Sequence, residues 1–162
     1  MAAGATTGKT FSTATESLLD RANAICVERG ARLTDLRRQV LGLILQEDAP
    51  TGAYDLLDRL RVTRQGAAPP TVYRALDFLL EHGLIHRLER LSAFVGCVAP
   101  TDSSHEHSSH AAQFLICRQC GRVVEIDDHD LAHALAHAAR KAGFSVTKAT
   151  IEAEGLCGAC AG

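Results

Sequence analysis

The chain has 162 residues, 46% of them hydrophobic, with 17 Lys and Arg against 19 Asp and Glu and a formal net charge of −2. That length suits one medium domain or two small ones, and the charge balance excludes a chain that is basic throughout. No apolar run approaches the roughly 20 residues of a membrane-crossing helix, which excludes a helical membrane protein.

Residues Met1 to Thr13 are small and polar and lack the charged and apolar regions of an export signal. A disordered lead-in over residues 1–14 is expected, on a cytoplasmic protein whose thiols stay reduced. Aromatic residues make up only 4%, so the core must be built mainly from Leu, Val and Ala. Charge and metal-binding chemistry divide unevenly. Residues 1–97 hold 12 Lys and Arg against 11 Asp and Glu, whereas residues 98–162 hold 5 against 8, with six of the eight His and four of the six Cys. The second half reads as a metal module, and the first can still carry a local basic face.

In chain order, a first helix is predicted from about Thr15 to Glu28, with Leu18, Leu19, Ala22, Ile25 and Cys26 on one stripe and Gly30 as its stop. Cys26 on that stripe is a core residue rather than a ligand. A second helix follows Thr34, a good N-cap, and carries Leu36, Val40, Leu41 and Ile44. Pro50 closes that region. A third helix spans about Thr51 to Leu60, burying Leu56, Leu57 and Leu60, and a polar loop runs from Thr63 to Ala68. A fourth opens on Pro69-Pro70-Thr71, where a missing N–H needs no partner, buries Val72, Ala75, Leu76, Leu79 and Leu80, and stops at Gly83. Thr71, Tyr73 and Arg74 then sit near its exposed first turn.

Two short strands come next, Leu84–Arg90 and Ala93–Cys97. Helices followed by a hairpin is the order of a winged helix-turn-helix, whose recognition helix enters the DNA major groove while the hairpin leans on the backbone. A plain helical bundle with a hairpin is the other reading of the same pattern. Residues 98–112 form a polar, His-rich linker. Beyond it are predicted a strand ending at Cys117, a turn through Gly121, a strand Val123–Ile126, a helix from about Asp128 to Ala142 and a last strand Phe144–Ala153. Antiparallel strands and one helix in about 60 residues bury both faces poorly, which makes dimerisation the expected remedy.

Cys117–Cys120 and Cys157–Cys160 are two Cys-x-x-Cys pairs, the usual ligand set of a closed tetrahedral zinc site; disulfides are the lesser reading without an export signal. A second constellation starts in the hairpin. A loop centred on Leu91–Ser92 pairs residues whose numbers sum to 183, which sets His86 opposite Cys97 on one face. The linker adds His105, His107 and His110, and the strand after Cys120 adds Glu125. Imidazole, thiolate and carboxylate together suit zinc better than magnesium or calcium. Taken singly, His86 reads as a half-buried polar residue, Cys97 as a small hydrophobe and the linker His as a solvated loop. A further stripe, His129, His133 and His137, has the spacing of a two-His metal clamp but lacks the Glu of the H-E-x-x-H enzymes. A solvated face opposite Leu131, Leu135 and Ala138 is its favoured reading.

Residues from about 15 to 161 resemble the ferric uptake regulator superfamily of bacterial metal-responsive repressors, above all its zinc uptake regulator branch. The segments that carry the resemblance are Arg32-Leu-Thr34, Ala53-Tyr-Asp-Leu-Leu57, the run from Pro69 to Leu79, Cys117-Arg-Gln-Cys-Gly121 and the run from Ile151 to Cys160. The Pro-Pro-Thr-Val-Tyr-Arg run resembles the family's recognition helix and is the most specific of them. Asp35 departs from the pattern where a Pro is common, and the linker is longer than usual.

The resemblance implies an α+β protein: an N-terminal winged helix-turn-helix DNA-binding domain over residues 15–97, a His-rich hinge over 98–112, and a C-terminal α/β dimerisation domain with antiparallel strands over 113–162. It implies structural zinc on Cys117, Cys120, Cys157 and Cys160. It implies regulatory zinc on His86, Cys97, Glu125 and a fourth ligand. Counting back from Cys117 gives His110, and counting forward from Cys97 favours His105, with His107 between them. Two zinc ions per subunit follow, and the His-rich linker leaves room for a third. Thr71, Tyr73 and Arg74 are expected at DNA base edges, Tyr54 beside the same groove against a thymine methyl or a phosphate, and Arg32 and Arg37 at phosphates. The implied function is a zinc-responsive repressor that binds palindromic operator DNA as a homodimer and controls zinc uptake genes, with no catalysis, membrane or small-molecule substrate. Within the family the rival is an iron- or peroxide-responsive regulator, which a Cys97 thiolate argues against. From other classes the rivals are a zinc hydrolase, which lacks a completed catalytic signature, and a zinc-ribbon interaction protein, which leaves the helical half without a role.

Overall fold

The computed structural model describes residues 11–98 and 111–162. The chain divides into two compact units that meet in sequence between Pro100 and Thr101. His105, His107 and His110 lie outside the described residues.

The first unit contains α1 (Thr13–Glu28), α2 (Asp35–Leu45), β1 (Thr51–Gly52), α3 (Ala53–Thr63), α4 (Pro69–Glu81), β2 (Ile85–Leu88) and β3 (Ala93–Gly96). Helix α1 starts two residues before its expected position because the Ser12 hydroxyl accepts from the Thr15 amide at 3.2 Å. Thr34 caps α2 in the same way, accepting from the Arg37 amide. Helix α3 begins later than expected and runs on to Thr63. Thr51 and Gly52 are instead extended and pair with Phe94 and Ala93, adding a third strand to the wing in the order β1-β3-β2. Helix α4 ends where its pattern does. Gly83 at φ +66° lets the Leu84 amide reach the Leu79 carbonyl and its own amide the Leu80 carbonyl, and buried Leu84 packs beside Leu79.

Leu19, Val40, Leu41, Leu56, Leu60, Leu76 and Leu79 are essentially inaccessible and form one core with Cys26 among them. Each such side chain contributes about 1.5–3 kcal/mol of burial energy. Arg38 ties α2 to α1 by bonding Glu16 at 2.7 Å and Asp20 at 2.8 Å. Gly42 lies so close under the Phe11 ring that an added Cβ would collide with it.

The hairpin register differs from the expected one. Leu88 pairs with Ala93, so the loop is the four residues Glu89–Ser92, a 3-10 turn closed by Ser92 at φ 48°. The loop centre moves back by one residue and every pair by two. His86 therefore faces Val95, and Cys97 donates its amide to the Leu84 carbonyl. A slip of two keeps each side chain on its face, because strand side chains alternate with period two.

The second unit contains β4 (Ala112–Cys117), β5 (Val123–Ile126), α5 (His129–Lys141) and β6 (Thr150–Gly155), with sheet order β5-β4-β6. The α+β class and the antiparallel β4–β5 pair are as expected. The expectation of antiparallel strands throughout is corrected: β6 runs parallel to β4, with Ala112 facing Thr150 and Cys117 facing Gly155. A parallel neighbour needs a long crossover, and the chain through β5 and α5 supplies one. The last strand also starts six residues later than expected. Gly143 at φ +76° closes α5, and the Phe144 amide is spent on the Ala139 carbonyl at 2.8 Å, so no strand can begin there.

Helix α5 has no buried residue. Its half-buried side is Ala132, Leu135, Ala136 and Ala139, whereas Leu131 and Ala138, expected to face inward, are exposed. Phe144 is 71% exposed, and Leu115, Leu156 and Val124 are also well exposed. No helix among the described residues is long and apolar enough to cross a membrane.

Candidate metal centres and nucleic-acid interface

Parallel pairing of β4 and β6 is what brings the two Cys-x-x-Cys turns together. Both strands end at the same edge of the sheet, Cys117 at the end of β4 and Cys157 two residues beyond β6. An antiparallel β6 would have left the pairs a strand's length apart, roughly 17 Å for six residues. The four sulfurs instead lie within 4.8 Å of one another. Cys120 Sγ and Cys157 Sγ are 3.7 Å apart, and all four cysteines are free thiols. A sulfur–sulfur bond would need about 2.05 Å. A tetrahedron with Zn–S bonds of about 2.3 Å has edges near 3.8 Å, so the donor set fits zinc.

The turns prepare these sulfurs for deprotonation. Backbone amides of Cys120, Cys157 and Gln119 lower the Cys117 thiol to about 6, and the Cys157 amide lies 3.4 Å from the Cys117 sulfur. Cys160 moves the other way, pushed up to about 12 by hydrogen bonds with Cys157 and Cys120. Four crowded sulfurs thus share protons unequally. A divalent cation removes that conflict by making every one a thiolate.

The second constellation begins in the wing. His86 and Cys97 are both half-buried, and a ring nitrogen of His86 and the Cys97 sulfur lie within 4.8 Å. They are diagonal neighbours rather than opposed ones, a separation that long side chains still bridge. Glu125 lies on β5 opposite Phe114. The residue is exposed overall, but desolvation and then the Asp127 carboxylate raise its carboxyl above the ordinary value.

The candidate DNA-facing residues gather on the helix-turn-helix of the first unit. Ala68 begins α4 without a side-chain cap, and the two prolines that follow remove two of the unpaired N–H donors of its first turn. Tyr73 is 45% exposed and Arg74 is exposed one residue on, whereas Thr71 is half-buried. Tyr54, second residue of α3, is 70% exposed. Arg32 is exposed at the entry to α2. Arg37 is half-buried and stacks on the Phe78 ring. The wing adds two arginines that sequence reasoning passed over: Arg87, paired with Glu89 at 3.2 Å, and exposed Arg90. Their signal was two basic residues flanking a hairpin turn.

A family model described as the ferric uptake regulator family matches residues 28–154. The chain belongs to that family. It is 43% identical over 151 residues to the zinc uptake regulation protein of Escherichia coli (strain K12), covering 91% of this chain and 84% of that one. It is 33% identical over 134 residues to the zinc uptake regulation protein of Mycobacterium tuberculosis, covering 81% of this chain and 95% of that one. Among solved structures, a zinc uptake regulator complexed with zinc and DNA matches with a TM-score of 0.82 and 41% identity, over 93% of this chain and 97% of that one.

Proposed function

We propose that this family member is a cytoplasmic, zinc-responsive transcriptional repressor. It binds palindromic operator DNA as a zinc-loaded homodimer, controls zinc uptake genes and catalyses no reaction. The observation that carries this reading is the likeness, over nearly the whole chain, to a zinc uptake regulator bound to zinc and DNA.

Each subunit holds two zinc ions. Cys117, Cys120, Cys157 and Cys160 bind the structural one, and the sulfur spacing supports that assignment. His86, Cys97 and Glu125 bind the regulatory one with a fourth ligand from the linker, His110 by its distance from Cys117. The closeness of His86 to Cys97 supports the wing half of that set. Residues 15–97 act as the DNA-binding domain, 98–112 as the hinge and 113–162 as the dimerisation domain. The exposed apolar residues of the second unit, Leu115, Val124, Phe144 and Leu156 among them, support a partner copy covering them.

A cation held by ligands from the wing, the linker and β5 restrains the recognition helices of the dimer. Zinc prefers the DNA-competent arrangement and shifts the population toward it. Thr71, Tyr73 and Arg74 face bases, Tyr54 meets a thymine methyl or a phosphate beside them, and Arg32, Arg37 and the wing arginines face phosphates. The test is a mobility-shift titration of an operator fragment across buffered free zinc, with ferrous iron and manganese as parallel arms. Tight binding that requires zinc is expected. Equal restoration by ferrous iron overturns the zinc assignment.

A further inference from the structure

We propose that His133 and His137 on α5 form a surface clamp for one borderline divalent cation of the zinc class, separate from both clusters described above. Helix α5 is regular from His129 to Lys141, capped by Asp128 at its start and closed by Gly143 at its end. In such a helix, side chains four apart stand on one face with Cβ atoms about 6 Å apart. Two imidazoles at that spacing converge on a single cation, the arrangement by which zinc helices use paired His. Imidazole donors suit zinc, copper and nickel, and exclude magnesium and calcium as preferred occupants.

The rest of the face completes a ligand set. At about 100° per residue, His129, His133, His137 and Asp130 fall within about 100° of arc. All four are exposed, and the half-buried side of the helix, Ala132, Leu135, Ala136 and Ala139, points elsewhere. Asp130 stands one turn before His133 and supplies a carboxylate oxygen as third ligand, with water filling the remaining positions. Among the described residues, no three donors of this face are drawn within 4.8 Å of one another as the four cysteines are. Reaching ligand distance requires only rotamer changes at the surface, so the clamp fills after the thiolate sites, when zinc is abundant.

The test uses the full chain with its thiolate sites loaded. Further zinc is titrated by calorimetry into the wild type, the double variant His133→Gln/His137→Gln and Asp130→Asn. The wild type should take up one more ion per chain, more weakly than the first ions. The double variant should lose that ion while keeping the earlier ones and its zinc-dependent DNA binding, and Asp130→Asn should weaken it. Copper(II) gives an independent readout: the wild type should show nitrogen hyperfine coupling from two imidazoles, absent in the double variant. No further ion in the wild type, or the same uptake and copper spectrum in the double variant, overturns the clamp and returns the stripe to a solvated face.

Discussion

The Arg37 guanidinium lies 3.6 Å from the centroid of the Phe78 ring and donates from Nη1 to the Arg32 carbonyl at 2.8 Å. A second ring, His82, is centred 4.2 Å from Phe78. The side chain thus bridges the start of α2 to the end of α4. On the function proposed above its positive charge also meets a phosphate, which would link stability and DNA affinity through one residue.

That linkage is separable. Arg37→Ala should destabilise the protein by about 0.5–1 kcal/mol through the lost cation–π contact. It should also weaken binding to all DNA sequences alike and reduce the salt slope by about 1. Arg37→Lys keeps the charge and loses the planar stack, so it should recover the salt slope but not the melting temperature. Thermal melts and salt-dependent anisotropy check both halves. An unchanged melting temperature in Arg37→Ala would remove the structural role, and a sequence-specific loss of binding would remove the phosphate role.

Removal of the structural zinc should undo the second unit. Apparent binding energies of about 10–16 kcal/mol at such tetrathiolate sites are folding energy. Its sheet has three strands, and α5 buries no residue of its own, so little else holds it. Cys117→Ser and Cys157→Ser should each lose one tightly held zinc per subunit and the dimer with it. Metal analysis and analytical ultracentrifugation give the answer. A dimeric Cys117→Ser protein with full zinc content refutes the assignment.

Most of the first unit was legible because each signal there is local. Thr34, Pro69-Pro70 and Gly83 mark helix ends through the hydrogen bonds of their own turns, and the Leu and Val spacing reports one buried face. Two errors came from non-local facts. Thr51–Gly52 looks like a helix start until a partner strand exists for it, and that partner lies more than 40 residues away. The parallel direction of β6 was in principle readable. If Cys117 and Cys157 each follow a strand and share one cation, those strands must end at the same edge of the sheet. The Cys spacing by itself names a ligand set, and strand direction follows only when each pair is placed at the end of its strand. The hairpin error was harmless for the same reason that strands tolerate it: His86 and Cys97 kept a common face after a slip of two.

The diagonal placement of His86 and Cys97 leads to a paired expectation. Cys97→Ser and His86→Ala should leave dimerisation and the tetrathiol zinc intact while abolishing zinc-dependent DNA binding. Compared singly, His105→Ala, His107→Ala and His110→Ala should give one dominant loss, at His110. Gel shifts at buffered zinc measure each. Wild-type repression by Cys97→Ser would place the sensing site elsewhere. Equal, mild effects of the three linker variants would point to a mobile or additional site.

Base recognition should concentrate at the first turns of α4. Tyr73 and Arg74 are exposed there, and the start of the helix carries two prolines instead of free donors, so side chains rather than amides must do the reading. Arg74 can give two hydrogen bonds to guanine O6 and N7, a contact worth about 1–3 kcal/mol of discrimination. Tyr54, exposed at the start of α3, is expected against a thymine methyl or a phosphate and should matter less for sequence. Arg74→Ala should therefore flatten preference at one base pair per half-site while leaving zinc content and dimerisation unchanged. Arg32→Ala, a phosphate contact on this reading, should lower affinity for every sequence by a similar factor. Binding-site selection with both variants is the measurement. An unaltered preference in Arg74→Ala, or a base-specific loss in Arg32→Ala, would exchange their roles.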